Sequence, residues 1–394
     1  MSVLNGLFDL PWWGYVLYAV LVCQITIAGV TLYLHRSQAH LGLDLHPVIQ
    51  QFFRAWLWTT TGMSTREWVA IHRKHHAKCE TVDDPHSPRV YGIRKVLLEG
   101  AELYRHESNN AETIAKYSHG TPNDFMENKI YSGKPKEMGI YISMAINLIL
   151  FGPIGLTIWA LQMVWIPIHA AGGINGLGHY WGYRNYETVD DATNLIPWAF
   201  WIGGEELHNN HHAYPSSAKF SIKPWEFDIG WMYIRVLETL GLAKVKKVAP
   251  QPQIDHSKEQ IDMETVKAII RSKMHVMAGY ADTVIKPVLQ EEYSKADEQA
   301  RKVLKHAQVA LTREEVRMNE SHRQTLAQTL SSHKSLELVY QYRSQLREIW
   351  ERTYESQEKL LQAIIEWCRR AEQSGVEALR QFAASLRGYT LVAG

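Results

Sequence analysis

The chain has 394 residues and a formal net charge of only +1, so no general attraction to nucleic acid follows and no nucleic-acid partner is expected. Its cysteines, Cys23, Cys79 and Cys368, are odd in number and far apart, which excludes a disulfide framework and a CxxC metal site and points to a reducing compartment. The 46% hydrophobic content averages two unlike stretches, an apolar one ahead of about residue 235 and a charged one after about residue 250.

The first predicted element is Pro11 to Leu34, 24 positions without a charged side chain. A bilayer crossing takes about 20 apolar residues, so this is one span, with Trp12, Trp13 and Tyr15 suited to the headgroup layer at its start. Next, His46 to Met63 is apolar but carries Gln50, Gln51 and Arg54, which are costly at mid-bilayer. Were it to cross, the histidine clusters on either side of it would be parted, so it is expected as an amphipathic helix in the interface. Arg66 to Lys136 then holds twelve Lys or Arg residues against none in the first 35. The positive-inside rule therefore predicts a cytoplasmic middle segment and an outside N-terminus, and the missing basic n-region argues against a signal peptide.

Met138 to Tyr183 gives 46 positions free of Asp, Glu, Lys and Arg, enough for a two-span hairpin turning near Gly152, Pro153 and Gly155. Leu195 to Ile202 is too short to cross and is expected at the surface. Beyond about Pro250 the chain turns charged and helix-forming, most strongly over Glu291 to Gln299 and Ser344 to Gln362, without a sustained heptad or recognisable chemistry. The expected fold is an all-α integral membrane protein of about three transmembrane helices with interfacial helices and a cytoplasmic histidine-rich cap, followed by a soluble helical domain. Residues 1–249 form the first domain and 250–394 the second.

Three histidine clusters stand out: HRSQAH (His35 to His40), HRKHH (His72 to His76) and HNNHH (His208 to His212). The last two share HxxHH, whose positions i, i+3 and i+4 lie on one helical face, so each is expected to aim three imidazoles at one point. Two such matches by chance are roughly a one-in-a-thousand event. His35 and His40 lie about 140° apart on an ideal helix, so they are expected to straddle the end of the first span, at the cytoplasmic surface. His179 is a ninth candidate, with Asn175 one helical turn before it.

Eight or nine imidazoles are too many for one zinc, which needs four ligands at most, and two metals with open positions for O2 fit the count. No HExxH motif occurs, and near the clusters the ExxH spacing of a ferritin-like site is met only by Glu205 and His208.

With these residues in view the sequence resembles the membrane fatty-acid desaturases, within them the acyl Δ9 branch that includes stearoyl-CoA desaturase. The likeness covers roughly residues 10 to 245 and extends beyond the boxes, to TREWVAIHRKHHAKCETVDDPHSP with Trp68, Asp84, Pro85 and His86, to NGLGHYWGYRNYE, and to HNNHHAYPSSAKF with the WEFDIGWMYIRVLETLGLA that follows. It implies two irons bound by His35, His40, His72, His75, His76, His179, His208, His211 and His212, with Asn175 acting through water, and no catalytic residue apart from these. Residues that bind substrate are left open. The implied reaction uses O2 and two electrons to place a cis double bond, Δ9 by resemblance, in an acyl chain of phospholipid or acyl-CoA.

Relatives of the stearoyl-CoA type carry a helical hairpin before the first box, where this chain fits one span, in agreement with an outside N-terminus. The haem-binding HPGG signature of a fused cytochrome b5 is missing, so electrons are expected from a separate ferredoxin, flavodoxin or cytochrome b5-like protein with an NAD(P)H reductase. The implied setting is a bacterial inner membrane with the site on its cytoplasmic face. Two rivals are a membrane di-iron hydroxylase acting on alkanes or other lipids, told apart by an alcohol product, and a metal-binding scaffold, told apart by zinc occupancy without O2 chemistry.

Overall fold

The computed structural model describes residues 6–133, 136–351 and 356–390. The chain divides into two compact units, Met1–Arg184 with Asp190–Ala249, and Asn185–Val189 with Pro250–Gly394.

In the first unit, helix α1 (Trp12–Ala39) follows Pro11, and helix α6 (Pro153–His179) is the other helix long and apolar enough to cross a membrane. Between them lie α2 (Pro47–Thr61), α3 (Thr65–Lys78), α4 (Ile93–Ser108) and α5 (Met138–Phe151). Among the described residues two helices thus meet the length of a span where three were expected. α5 has 14 residues, about 21 Å at 1.5 Å per residue, against about 30 Å of hydrocarbon. The expected α5–α6 hairpin is formed. Gly152 turns it at φ 63°, and a Cβ on Gly155 would lie 2.0 Å from the Asn147 carbonyl oxygen, so glycine alone permits this close crossing.

α2 starts at Pro47, with His46 Nδ1 accepting from the Val48 N–H, and ends at Gly62 in the left-handed conformation. It buries Phe53, Arg54, Leu57 and Thr60. The guanidinium of Arg54 donates to Asp124 at 2.6 and 2.7 Å and to Glu127 at 3.3 Å, so protein carboxylates satisfy the charge that would be costly in lipid. α3 is capped by Ser64, whose hydroxyl accepts from the Glu67 N–H. An apolar core of Tyr33, Leu34, Leu43, Phe53, Leu57 and Ile234 holds these elements together. Leu195 to Ile202 contains no helix: Trp198–Ala199 pairs as a short parallel strand with Phe227–Asp228.

The second unit is a helical bundle around Val266, Ile269, Tyr280, Leu346, Trp367 and Leu386. An antiparallel ladder of Gln253–Ile254 with Tyr389–Thr390 joins its beginning to its end. Tyr186 bonds His275 and Glu187 pairs with Arg317 at 2.9 Å inside this unit. Both stretches of strong helix propensity are interrupted. Within the first, one helix ends at Lys295 and the next begins at Glu298, because the Asp297 carboxylate caps a new N-terminus. In the second, Lys334–Glu351 is followed by Gln357–Gln373 capped by Ser356, and residues 352–355 lie outside those described.

Candidate metal centre

The end of α1 that carries the first cluster is wound wide. Over Gly29–Ala39 the backbone bonds run from residue i to i+5, and the His40 N–H donates to the His35 carbonyl at 3.1 Å. Bonds of that reach stack residues five apart, so His35 and His40 come together with ring centroids 5.0 Å apart. The expectation that they straddle a helix end assumed ideal α geometry, and the winding itself supplies the convergence. Such wide turns are rare and recur at functional sites.

α6 ends similarly. Pro167 has no N–H to donate, the turns widen over Pro167–Ile174, and the Asn175 N–H reaches the Ala170 carbonyl at 3.0 Å. A tight turn, Leu177–His179, follows, so Asn175 and His179 do not share the regular helical face that was expected.

The second cluster lies on α3 and the third on helix α7 (His208–Ala213). They do not each converge on one point. His35, His40, His72, His76 and His211 form one group, with ring nitrogens within 4.8 Å of one another. His75, His179 and His212 form a second group with Cys79, and His208 joins it with its Nε2 2.9 Å from His179 Nε2. In each HxxHH the outer pair serves one group and the middle histidine the other. Residues i and i+4 incline to the same side of the helix, and the i+3 side chain leans across to the neighbouring group.

Four carboxylates orient these rings. The Nδ1–H of His35 donates to Glu205 at 2.8 Å, that of His75 to Asp84 at 3.0 Å, that of His179 to Glu80 at 3.0 Å and that of His212 to Asp190 at 2.8 Å. A neutral imidazole bonded in this way carries its lone pair on Nε2. His75 Nε2 and His179 Nε2 then face one another at 3.2 Å with no proton between them. His211 Nε2 lies 3.0 Å from His35 Nε2 and 2.9 Å from His76 Nε2, three nitrogens that the protons of neutral rings do not fully satisfy. Facing lone pairs repel unless a cation lies between them, so the donor set fits a metal pair.

For six of these rings a proton is a poor substitute. Burial, then the neighbouring imidazoles, push His40, His72, His76, His208 and His211 well below the usual histidine range. Burial likewise brings His212 to about 4 against the pull of Asp190. His75 shifts up because Asp84 outweighs its burial, and Asp84 is held below the carboxylate range because His75 and His86 outweigh the effect of burial there. Of the orienting acids, Asp84 entered the sequence argument only as motif context and Glu205 only as a spacing test, while Glu80 and Asp190 were missed.

A buried ion pair fixes the first cluster to the loop beyond the third. The Arg36 guanidinium donates to Asp228 at 3.0 and 3.1 Å and to the carbonyls of Ala218 and Gly203, and lies 3.7 Å over the Phe220 ring. Beside the metal groups opens a cavity of about 500 Å³, lined by His35, His72, His208 and Asn175 and continuing along the apolar Val30, Met163 and Ile166. Trp68 stacks on His72 in its wall, centroids 4.8 Å apart.

An apolar cavity beside two buried groups of histidine nitrogens that could hold cations suits a metalloenzyme acting on an apolar substrate. The family model for fatty acid desaturases matches residues 10–227, more than half of the chain, and this protein belongs to that family. Similar proteins include an sn-1 stearoyl-lipid 9-desaturase of Anabaena variabilis, 31% identical over 61% of this chain and 87% of the relative. An acyl-CoA 5-desaturase of Anemone leveillei is 31% identical over 62% of this chain and 75% of its own, and Delta-9 acyl-lipid desaturase 1 of Arabidopsis thaliana is 28% identical over 61% and 78%. The chain is therefore a membrane-associated oxidoreductase of lipid metabolism that desaturates fatty acids with O2 and reducing equivalents. Residues 265–391 match a second family model, described as a transposase. That stretch lies in the helical bundle and carries 20 Lys or Arg residues against 16 Asp or Glu.

Proposed function

We propose that the protein places a cis double bond at Δ9 of a saturated acyl chain carried by phospholipid or CoA, at two irons bound by His35, His40, His72, His75, His76, His179, His208, His211 and His212. The observation that carries this reading is the pair of buried groups whose ring nitrogens crowd to between 2.9 and 3.2 Å, five histidines in one and four in the other. Asn175, in the cavity wall, acts on the second iron through water. The Δ9 position draws on the names of the Anabaena and Arabidopsis relatives, against which the Anemone relative is a Δ5 enzyme.

When bound, the iron pair supplies the oxidising power that O2 alone lacks toward an unactivated C–H bond. The residues of this chain supply the rest. Val30, Met163 and Ile166 receive the aliphatic chain and exclude water, and Trp68 presses on His72 to hold its ring beside the slot. Glu80, Asp84, Asp190 and Glu205 fix the tautomers of His179, His75, His212 and His35.

In this reading α1 spans a bacterial inner membrane and the α5–α6 hairpin crosses it and returns, flanking residues completing the shorter α5 arm; the N-terminus lies outside, α2 lies in the interface, and the histidines face the cytoplasm. A separate ferredoxin, flavodoxin or cytochrome b5-like protein delivers electrons. Residues 1–249 are the catalytic domain, and residues 250–394 are a charged helical domain. Expression in a host with a simple saturated lipid pool, followed by mass-spectrometric location of new double bonds in separated CoA and phospholipid fractions, tests it. A Δ9 alkene is the expected product. An alcohol, or an unchanged lipid pool, would refute the reading.

A further inference from the structure

We infer that the Tyr104 hydroxyl holds the carbonyl oxygen of the acyl substrate and so sets how many carbons separate that carbonyl from the carbons facing the histidines. The inference rests on the desaturase reading above. Tyr104 lines the cavity, and its Oη is buried without a hydrogen-bond partner among the described residues. A buried hydroxyl left so is destabilising, and an acceptor brought by a ligand removes the defect.

Three neighbouring donors have partners within the protein. Lys136 is paired with Glu67 at 3.5 Å, and Ser108 and Asn109 donate to the Arg105 carbonyl at 2.9 and 2.8 Å. Burial, with Glu67 nearby, keeps the Tyr104 phenol well above the ordinary tyrosine range and hence protonated as a donor. Val30, Met163 and Ile166, which also line the cavity, offer a carbonyl nothing and suit the aliphatic part of the chain.

Two walls run from this polar end to the metal groups. On α3, Glu67 lies five residues before His72, about 7.5 Å along the axis. On α4, Tyr104 lies one turn from Gly100, where an added Cβ would sit 2.8 Å from that of Ala171, and Asn175 is four residues beyond Ala171 on α6. A chain held at Tyr104 therefore reaches the histidines after a fixed number of carbons. An ester and a thioester present the same oxygen, so the inference holds for either carrier.

The test compares wild type with Tyr104→Phe, which keeps the ring and removes the O–H. Membranes of the expressing host are supplied with stearoyl-CoA or distearoyl phosphatidylcholine, and with the carbonyl-free partners S-octadecyl-CoA and dioctadecyl ether phosphatidylcholine. On whichever carbonyl substrate wild type accepts, Tyr104→Phe is expected to lose roughly tenfold in kcat/KM and to spread the double bond over neighbouring positions, with metal content unchanged. On the matching ether the two proteins are expected to behave alike, since the partner oxygen is already gone. Equal losses on both substrates, or an unchanged product position, would overturn the inference. Should the variant lose metal, wild type alone decides: discrimination of about tenfold against the ether supports the anchor, and indifference to the carbonyl refutes it. A wild type that makes no alkene from any of the four fails the desaturase reading itself, a result distinct from those above.

Discussion

The two units have opposite kinds of interior. The second is held by apolar burial, with Trp367, Ile364 and Leu386 packed around Tyr280, the ordinary means by which a helical bundle stabilises itself. The first buries the Arg36–Asp228 pair, four orienting carboxylates and rings whose bare nitrogens repel one another. The apolar interior folds on its own contacts, whereas the polar one has a deficit that a bound cation makes good.

The contrast is broken most severely at a ligand. His75→Ala is expected to abolish double-bond formation and to lower iron from two per chain while membrane insertion persists; normal product by lipid mass spectrometry would remove His75 from the set. Chelation is the next largest effect. Stripping the metal is expected to lower the melting transition of the first unit by roughly 5–10 °C and to leave that of the second in place, so a common shift in calorimetry would argue against the contrast.

Asp190→Asn leaves His212 in its place and loosens its tautomer, at an expected 10- to 100-fold cost in metal affinity by competitive chelator titration. Trp367→Ala should destabilise the bundle by about 3–5 kcal/mol in denaturant unfolding and leave the iron content alone. The smallest effect belongs to Asp262, which caps a helix by accepting from the Thr265 N–H. That N–H and Lys258 hold its carboxyl at about 2, below its ordinary 3.8. Its contribution is thus fully present above the ordinary value and lost as pH falls through about 2. Asp262→Ala is expected to remove about 1 kcal/mol at neutral pH and little below pH 2, as a pH series of unfolding curves would reveal.

What could be read in the sequence was local. HxxHH places its imidazoles on one helix by spacing alone, and uncharged runs announce the apolar helices whatever they pack against. The division of those imidazoles into two groups was not legible, because it depends on which way neighbouring elements approach. Nor were the orienting acids: His35 and Glu205 are separated by 170 positions, and nothing in the residues around Glu80 or Asp190 distinguishes them from surface carboxylates. The interruptions at Asp297 and Ser356 were missed because propensity averages over a capping residue that in fact starts a new helix.

The widened winding of α1 has a consequence for how this span tolerates change. Removing one residue between Gly29 and Leu34 would shorten the helix by a single residue's rise and hardly alter its fitness for lipid, yet would turn everything beyond it by roughly a quarter turn. His40 would then point away from His72 and His76. Hydropathy in this stretch is thus forgiving and count is not: the span works as a spacer whose length in residues, more than its composition, keeps the first pair of histidines in phase with the other two clusters.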